Sequence, residues 1–117
     1  MKITDILKSK SAVLSFEVFP PKTSDKFEGV WQAVEEIAAL KPDFMSVTYG
    51  AGGGTSAYTV KISEGIKALG VNSVAHLSCI SSTKADVKDK LVQLKEAGIE
   101  NILALRGDIP ADFAGNL

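Results

Sequence analysis

The chain has one cysteine, one histidine, no cluster of basic residues and no long apolar run, and each scarcity removes a class of function. A lone cysteine, Cys79, cannot close an intrachain disulfide, which suits a reducing compartment. Set in an apolar stretch, it is expected to be a small buried hydrophobe. One histidine leaves little for a metal cluster: His76 and Cys79, three apart on a strand, face opposite ways, so no metal is expected. The formal net charge is −1 and both signs are scattered along the chain, so nothing is built to neutralise a phosphate backbone and no nucleic-acid partner is expected. No apolar run approaches the roughly 20 residues of a membrane-spanning helix. The start, Met1-Lys2-Ile3-Thr4-Asp5-Ile6-Leu7, is too short and polar for a signal peptide. It predicts a short amphipathic helix in a cytoplasmic protein that has no membrane partner.

What is present describes one ordinary domain: 117 residues, 45% of them hydrophobic. The organising stretch is Phe44–Thr55, an apolar strand running into a glycine-rich loop with a helix behind it, the βα unit of a parallel sheet. Along it Phe44, Ser46 and Thr48 share one face and Met45, Val47 and Tyr49 the other. Thr48 and Tyr49 thus sit at the carboxyl end, where parallel α/β sheets bind ligands.

The same unit recurs. A first strand, Ala12–Phe19, stops at Pro20-Pro21, and Thr23-Ser24-Asp25 offers caps to a helix whose apolar positions are Phe27, Val30, Trp31, Val34, Ile37 and Ala38. A helix from Tyr58 to Leu69 buries Tyr58, Ile62, Ile66 and Leu69 and stops at Gly70. A third strand, Asn72–Cys79, precedes a capping box, Thr83-Lys84-Ala85-Asp86, and a helix with Val87, Leu91 and Leu94 inward that ends at Ala97-Gly98. The fourth strand, Asn101–Leu105, runs into Arg106-Gly107-Asp108.

Polar residues near the four strand ends, Glu17, Thr48, His76 and Arg106, are spaced 31, 28 and 30 residues apart. A (β/α)8 barrel spends about 250 residues on eight units, so about 31 on each. The fold class expected is α/β of the TIM-barrel type, with only the first four βα units in residues 1–117: half a barrel. A small doubly wound sheet is the competing architecture.

Glu17 lies in an otherwise apolar run, flanked by Phe16, Val18 and Phe19, and partial desolvation there would suit a general acid near neutral pH. An ion pair with Arg106 or a lysine is the structural alternative. His76 suits either a hydrogen-bonded core imidazole or a ligand-facing group. Arg106-Gly107-Asp108 sets a cation and an anion around a glycine, which fits a polar heterocycle, a phosphate or a plain surface turn. Gly50-Ala51-Gly52-Gly53-Gly54 lacks the dinucleotide fingerprint and the lysine of a phosphate loop, and reads as a lid or turn.

Taken together, Ser15-Phe16-Glu17-Val18-Phe19-Pro20-Pro21-Lys22, Val47-Thr48-Tyr49-Gly50-Ala51-Gly52-Gly53, His76-Leu77-Ser78-Cys79 and Asn101-Ile102-Leu103-Ala104-Leu105-Arg106-Gly107-Asp108 resemble, in order and spacing, the N-terminal half of the methylenetetrahydrofolate reductase family. The resemblance implies a (β/α)8 barrel with FAD at the carboxyl ends of its strands and reduction of 5,10-methylenetetrahydrofolate to 5-methyltetrahydrofolate by NADH or NADPH, in a ping-pong reaction through the flavin. It implies that Glu17 is the general acid that protonates the folate nitrogen and that Asp108 lies near flavin and pterin, both touching substrate. It further implies that Thr48, Tyr49, Ala51, His76, Arg106 and Gly107 line the flavin, with Thr48 also close to the nicotinamide.

The chain departs from the family where Thr55-Ser56-Ala57-Tyr58-Thr59 replaces an arginine-containing stretch, and where it reaches Leu117 before the strands that hold the rest of FAD and much of the folate. Read this way it is a fragment, inactive by itself, whose open sheet edges favour a homo-oligomer. The contrasting expectation is a non-catalytic α/β module that keeps the motifs.

Overall fold

The structure is a computed structural model that describes residues 1–49, 56–80 and 82–109. Its first element, α1 (Ile3–Ser9), is the short amphipathic helix expected, with Ile6 buried. Four parallel strands follow: β1 (Ser15–Val18), β2 (Phe44–Val47), β3 (Asn72–Ser78) and β4 (Asn101–Leu105). They pair in strict chain order, β1-β2-β3-β4, all parallel. Between them run α2 (Phe27–Ala38), α3 (Ser56–Ala68) and α4 (Lys84–Glu96).

Alternation decides which strand face the helices cover. Val18, Met45 and Val47 are buried against Val34 of α2 and Ile62 and Ile66 of α3, while Ala75, in register with Val47, packs with Leu94 of α4. All three helices therefore lie on one side of the sheet. Val34, Met45, Val47, Ile62 and Ile66 are fully enclosed, and each such side chain stabilises the fold by roughly 1.5–3 kcal/mol. A sequential order with helices on one face has no point of reversal, so the doubly wound arrangement is not what the chain adopts.

Most of the helix signals operate as read. Thr83 and Asp86 form a reciprocal capping box at the start of α4, in which the Thr83 N–H donates to Asp86 Oδ2 and the Asp86 N–H to Thr83 Oγ1. Hydrogen bonding by the Thr83 backbone N–H first, and then by its side chain, holds the Asp86 carboxyl below the usual carboxylate range. Gly70 and Gly98 follow α3 and α4 with φ of 86° and 77°, left-handed turns that glycine adopts without a Cβ penalty.

Other expectations are corrected. Thr23 does not cap α2 with its side chain; a 3-10 turn over Ser24–Lys26 leads into the helix instead. The β1 ladder is limited to the four residues that β2 can register against, shorter than Ala12–Phe19. Leu69 lies past the last turn of α3 and is exposed, and Leu91 is exposed on α4, whose inward contact rests on Leu94. Cys79 falls one residue beyond β3 and is exposed rather than buried.

The amino ends of the strands are tied by polar groups. Asp43 accepts from the Leu14 backbone N–H and from Lys10 Nζ, and its own N–H returns to the Leu14 carbonyl. Asn72 Nδ2 donates to the Asp43 carbonyl. The Asn101 side chain accepts from Ile3 N and donates to Met1 O, which straps the segment before α1 across the same end. No helix among the described residues is long and apolar enough to cross a membrane.

Candidate functional site

The sheet face opposite the helices carries, by register, Glu17 beside Ser46 and Ser46 beside Val74, with His76 two residues further along β3. Glu17 and His76 stand on strands separated by β2. They still meet, because the residue between them is a small serine over which the longer glutamate can reach. Glu17 Oε1 lies 3.5 Å from His76 Nε2 and 3.5 Å from Ser46 Oγ, both at the outer limit of hydrogen bonding. Glu17 Oε2 has no hydrogen-bond partner among the described residues.

The flanking apolar residues do not desolvate Glu17 as the sequence suggests. Phe16 and Val18 point to the helix face, and the Glu17 side chain is 49% exposed against 10% for His76. Its partner is the imidazole: among the described residues Glu17 pairs with neither Arg106 nor a lysine.

At the carboxyl end of β2 the Thr48 N–H donates to the Val18 carbonyl (3.0 Å), and the Thr48 carbonyl accepts from Thr59 Oγ1 of α3 (2.8 Å). Thr48 and Tyr49 are half-buried there. Ala51 and the rest of the glycine loop, 50–55, lie outside the described residues.

Past β3 and β4 the two chains continue side by side: Cys79 N donates to Leu105 O and Ile80 N to Arg106 O, at 3.0 and 2.8 Å. Gly107 turns with φ 88°, a left-handed conformation that favours glycine, and a Cβ there would come within 1.9 Å of Ser78 Oγ, which would have to turn away. Ser78 Oγ in turn donates to the Arg106 carbonyl. The Arg106 and Asp108 side chains are exposed, and Arg106 Nε donates to Gly107 O at 3.1 Å.

Every described candidate residue is thus at or near the carboxyl ends of the strands. Glu17 and His76 are in contact; Thr48 and Tyr49 share that end; Arg106 and Asp108 make no hydrogen bond or ion pair with Glu17. Three participants were not singled out from the sequence: Ser46, Ser78 and Thr59. Ser46 could have been found, since alternation already placed it on a face with Thr48, and a small polar residue in an apolar strand needs a reason. Thr59 and Ser63 also had a signal, as hydroxyls next to the apolar stripe of α3, where both prove buried. Among the described residues no three His, Cys, Asp or Glu side chains converge to hold a metal.

Chemically, this end offers a carboxyl group that can give or take a proton over an open face, an imidazole against it, and hydroxyl, guanidinium and backbone donors around it. Leu103 and Leu105, in register with His76 and Ser78, add exposed apolar surface beside these groups.

Comparison with known proteins supplies the context. The family model for methylenetetrahydrofolate reductase matches residues 2–115. A 5,10-methylenetetrahydrofolate reductase of Pectobacterium carotovorum is 41% identical over 100 residues, 85% of this chain and 34% of the relative. The enzyme of that name from Escherichia coli is 41% identical over 98 residues, 83% of this chain and 33% of its own length. A plant relative, methylenetetrahydrofolate reductase (NADH) 1 of Arabidopsis thaliana, is 35% identical over 115 residues, 94% of this chain and 19% of its own. The chain spans about a third of the length of the bacterial relatives it matches.

Proposed function

The chain belongs to the methylenetetrahydrofolate reductase family, and from that premise we propose that residues 1–117 form the first four βα units of a (β/α)8 barrel. The protein that carries them reduces 5,10-methylenetetrahydrofolate to 5-methyltetrahydrofolate, using FAD and either NADH or NADPH. The observation that carries the reading is the meeting of Glu17 and His76 on the helix-free face, at the sheet end where parallel α/β folds bind ligands.

The residues fit a flavin ring. Thr48, His76 and Arg106 provide a hydroxyl, an imidazole and a guanidinium for its polar edge, and Leu103 and Leu105 provide apolar surface for its plane. With Tyr49, Ala51, Gly107 and Asp108 these are the groups that would hold it. When bound, FAD supplies the hydride relay from the nicotinamide to the folate.

The chain's own residues supply proton and charge. Protonated Glu17 donates its proton to the bridging folate nitrogen; the carbon–nitrogen bond on that side breaks, and the resulting iminium carbon accepts the hydride. Oε2, unengaged among the described residues, is the oxygen available for this, while Ser46 and His76 steady Oε1. The Asp108 carboxylate opposes the positive charge that the iminium carries.

The absorption spectrum of the purified full-length protein tests the proposal. A flavin band that NADH or NADPH bleaches and methylenetetrahydrofolate restores is expected; a protein without flavin, or a reduced flavin that the folate does not reoxidise, rejects it.

A further inference from the structure

Three hydroxyls run through the interior behind the site. Thr59 Oγ1 donates to Thr48 O at 2.8 Å, Ser63 Oγ to Thr59 O at 2.7 Å, and Ser73 Oγ to Ser63 O at 2.9 Å. Thr59, Ser63 and Ser73 are 1%, 0% and 5% exposed, so each hydroxyl is placed where an unpaired polar group is costly and its bond is correspondingly well defined. The chain of bonds joins β3 through one turn of α3 to the carboxyl end of β2. Its last member holds the carbonyl of Thr48, one residue past the end of β2.

We propose that Thr59 is a positioning residue for the flavin site, fixing the Thr48–Tyr49 end of β2 from behind through the Thr48 carbonyl. The inference rests on the reading of Thr48 as a flavin-lining residue. Its physical basis is local. Thr48 N is tied to Val18 O in the sheet, and Thr59 ties the carbonyl on the other side of the same residue to a helix. The first bond holds the peptide plane before Thr48 and the second the plane after it, which together set the direction in which the chain leaves Thr48. Valine has the shape of threonine without the hydroxyl, so it leaves the helix packing filled and removes the hydroxyl's hydrogen bonding, the tie to Thr48 O included. Serine keeps the tie.

The test uses Thr59→Val, Thr59→Ser and Ser73→Ala in the full-length protein, with three readouts: amide hydrogen exchange in residues 44–49, the FAD dissociation constant, and the thermal midpoint. Thr59→Val is expected to speed exchange at the end of β2 by about tenfold and to weaken FAD binding by about tenfold. Thr59→Ser should restore both to within about twofold. Ser73→Ala, which cuts the same hydroxyl chain away from Thr48, should lower the thermal midpoint and leave FAD affinity unchanged. The proposal is overturned if Thr59→Val lowers the thermal midpoint with exchange and FAD affinity as in the wild type, or if Thr59→Ser is as defective as Thr59→Val. Faster exchange with unchanged FAD affinity would mean that Thr59 fixes the strand end but Thr48 does not meet the flavin, which overturns the functional half and the reading beneath it. A single FAD titration of Thr48→Val separates the cases, since that variant weakens binding if Thr48 lines the flavin, whatever Thr59 does.

Discussion

Glu17 is half exposed, with Ser46 and His76 both on Oε1, and this arrangement separates what the carboxyl does from what the imidazole does. In the proposed reaction the proton of Glu17 would open the folate ring and would play no part in moving hydride onto the flavin. In the full-length protein, Glu17→Gln is therefore expected to leave flavin reduction by NADH or NADPH within a few-fold of wild type and to slow reoxidation by methylenetetrahydrofolate by at least about a hundredfold. Stopped-flow traces of the two half-reactions check this, and equal losses in both would remove the acid role. His76 is buried beside exposed Leu103, where a ligand could cover it. His76→Ala should raise the FAD dissociation constant about tenfold, the worth of one hydrogen bond, while shifting the thermal midpoint little. A purely structural imidazole would give the reverse: a lower thermal midpoint and unchanged flavin content per folded molecule.

Among the elements, the amino ends of the strands do work of a different kind from the carboxyl ends. Asp43, just before β2, joins the start of β1 through Leu14 and the start of β3 through Asn72, and no candidate site residue touches it. The hydrogen bond from Lys10 Nζ, followed by that from the Leu14 N–H, holds its carboxyl below the usual range. A carboxylate whose folded-state value is depressed adds stability that is present above its unfolded value, about 3.9, and is lost as pH falls through the folded value. The thermal midpoint should thus drop on acidification below about pH 4, and Asp43→Asn should start lower and show a shallower drop over that window. Differential scanning fluorimetry from neutral to acid pH measures both. Parallel slopes for the two proteins would place the acid-labile group elsewhere.

For the whole molecule, the exposed surfaces are the informative ones. Among the described residues β1 and β4 each pair on one side only, and Phe19, Leu103 and Leu105, exposed by 68%, 45% and 38%, leave apolar surface open at the carboxyl ends and on the helix-free face. Unpaired strand edges and uncovered apolar surface both favour association. The 117-residue polypeptide expressed alone is expected to self-associate and to carry no stoichiometric FAD, since the flavin would meet groups from only these four strands. Pairing two copies would repeat Glu17 and Asp108 without adding contacts for the remainder of the cofactor. Size-exclusion chromatography with an absorbance scan checks both statements, and a monomer with one flavin per chain contradicts them.

The sequence by itself determined the order and kind of the elements, because those depend on neighbours along the chain. The period of about thirty residues, the capping box at Thr83, the glycine stops at Gly70 and Gly98 and the fourth strand, Asn101–Leu105, all rest on local spacing, and all are present. Local spacing also aligned Glu17, Thr48, His76 and Arg106 near the ends of four strands. Only the tertiary structure decided what surrounds each of them. Whether the apolar neighbours of Glu17 would bury it depended on the face they take: Phe16 and Val18 take the other one, and Phe19 is exposed. Whether Glu17 would meet Arg106, a lysine or His76 depended on register across three strands and on the small size of Ser46 between them. The same applies to Cys79, which lies one residue past β3 and is exposed, and to Thr59, whose hydroxyl acquires its meaning from a carbonyl eleven residues back that only packing of α3 against β2 brings within 2.8 Å.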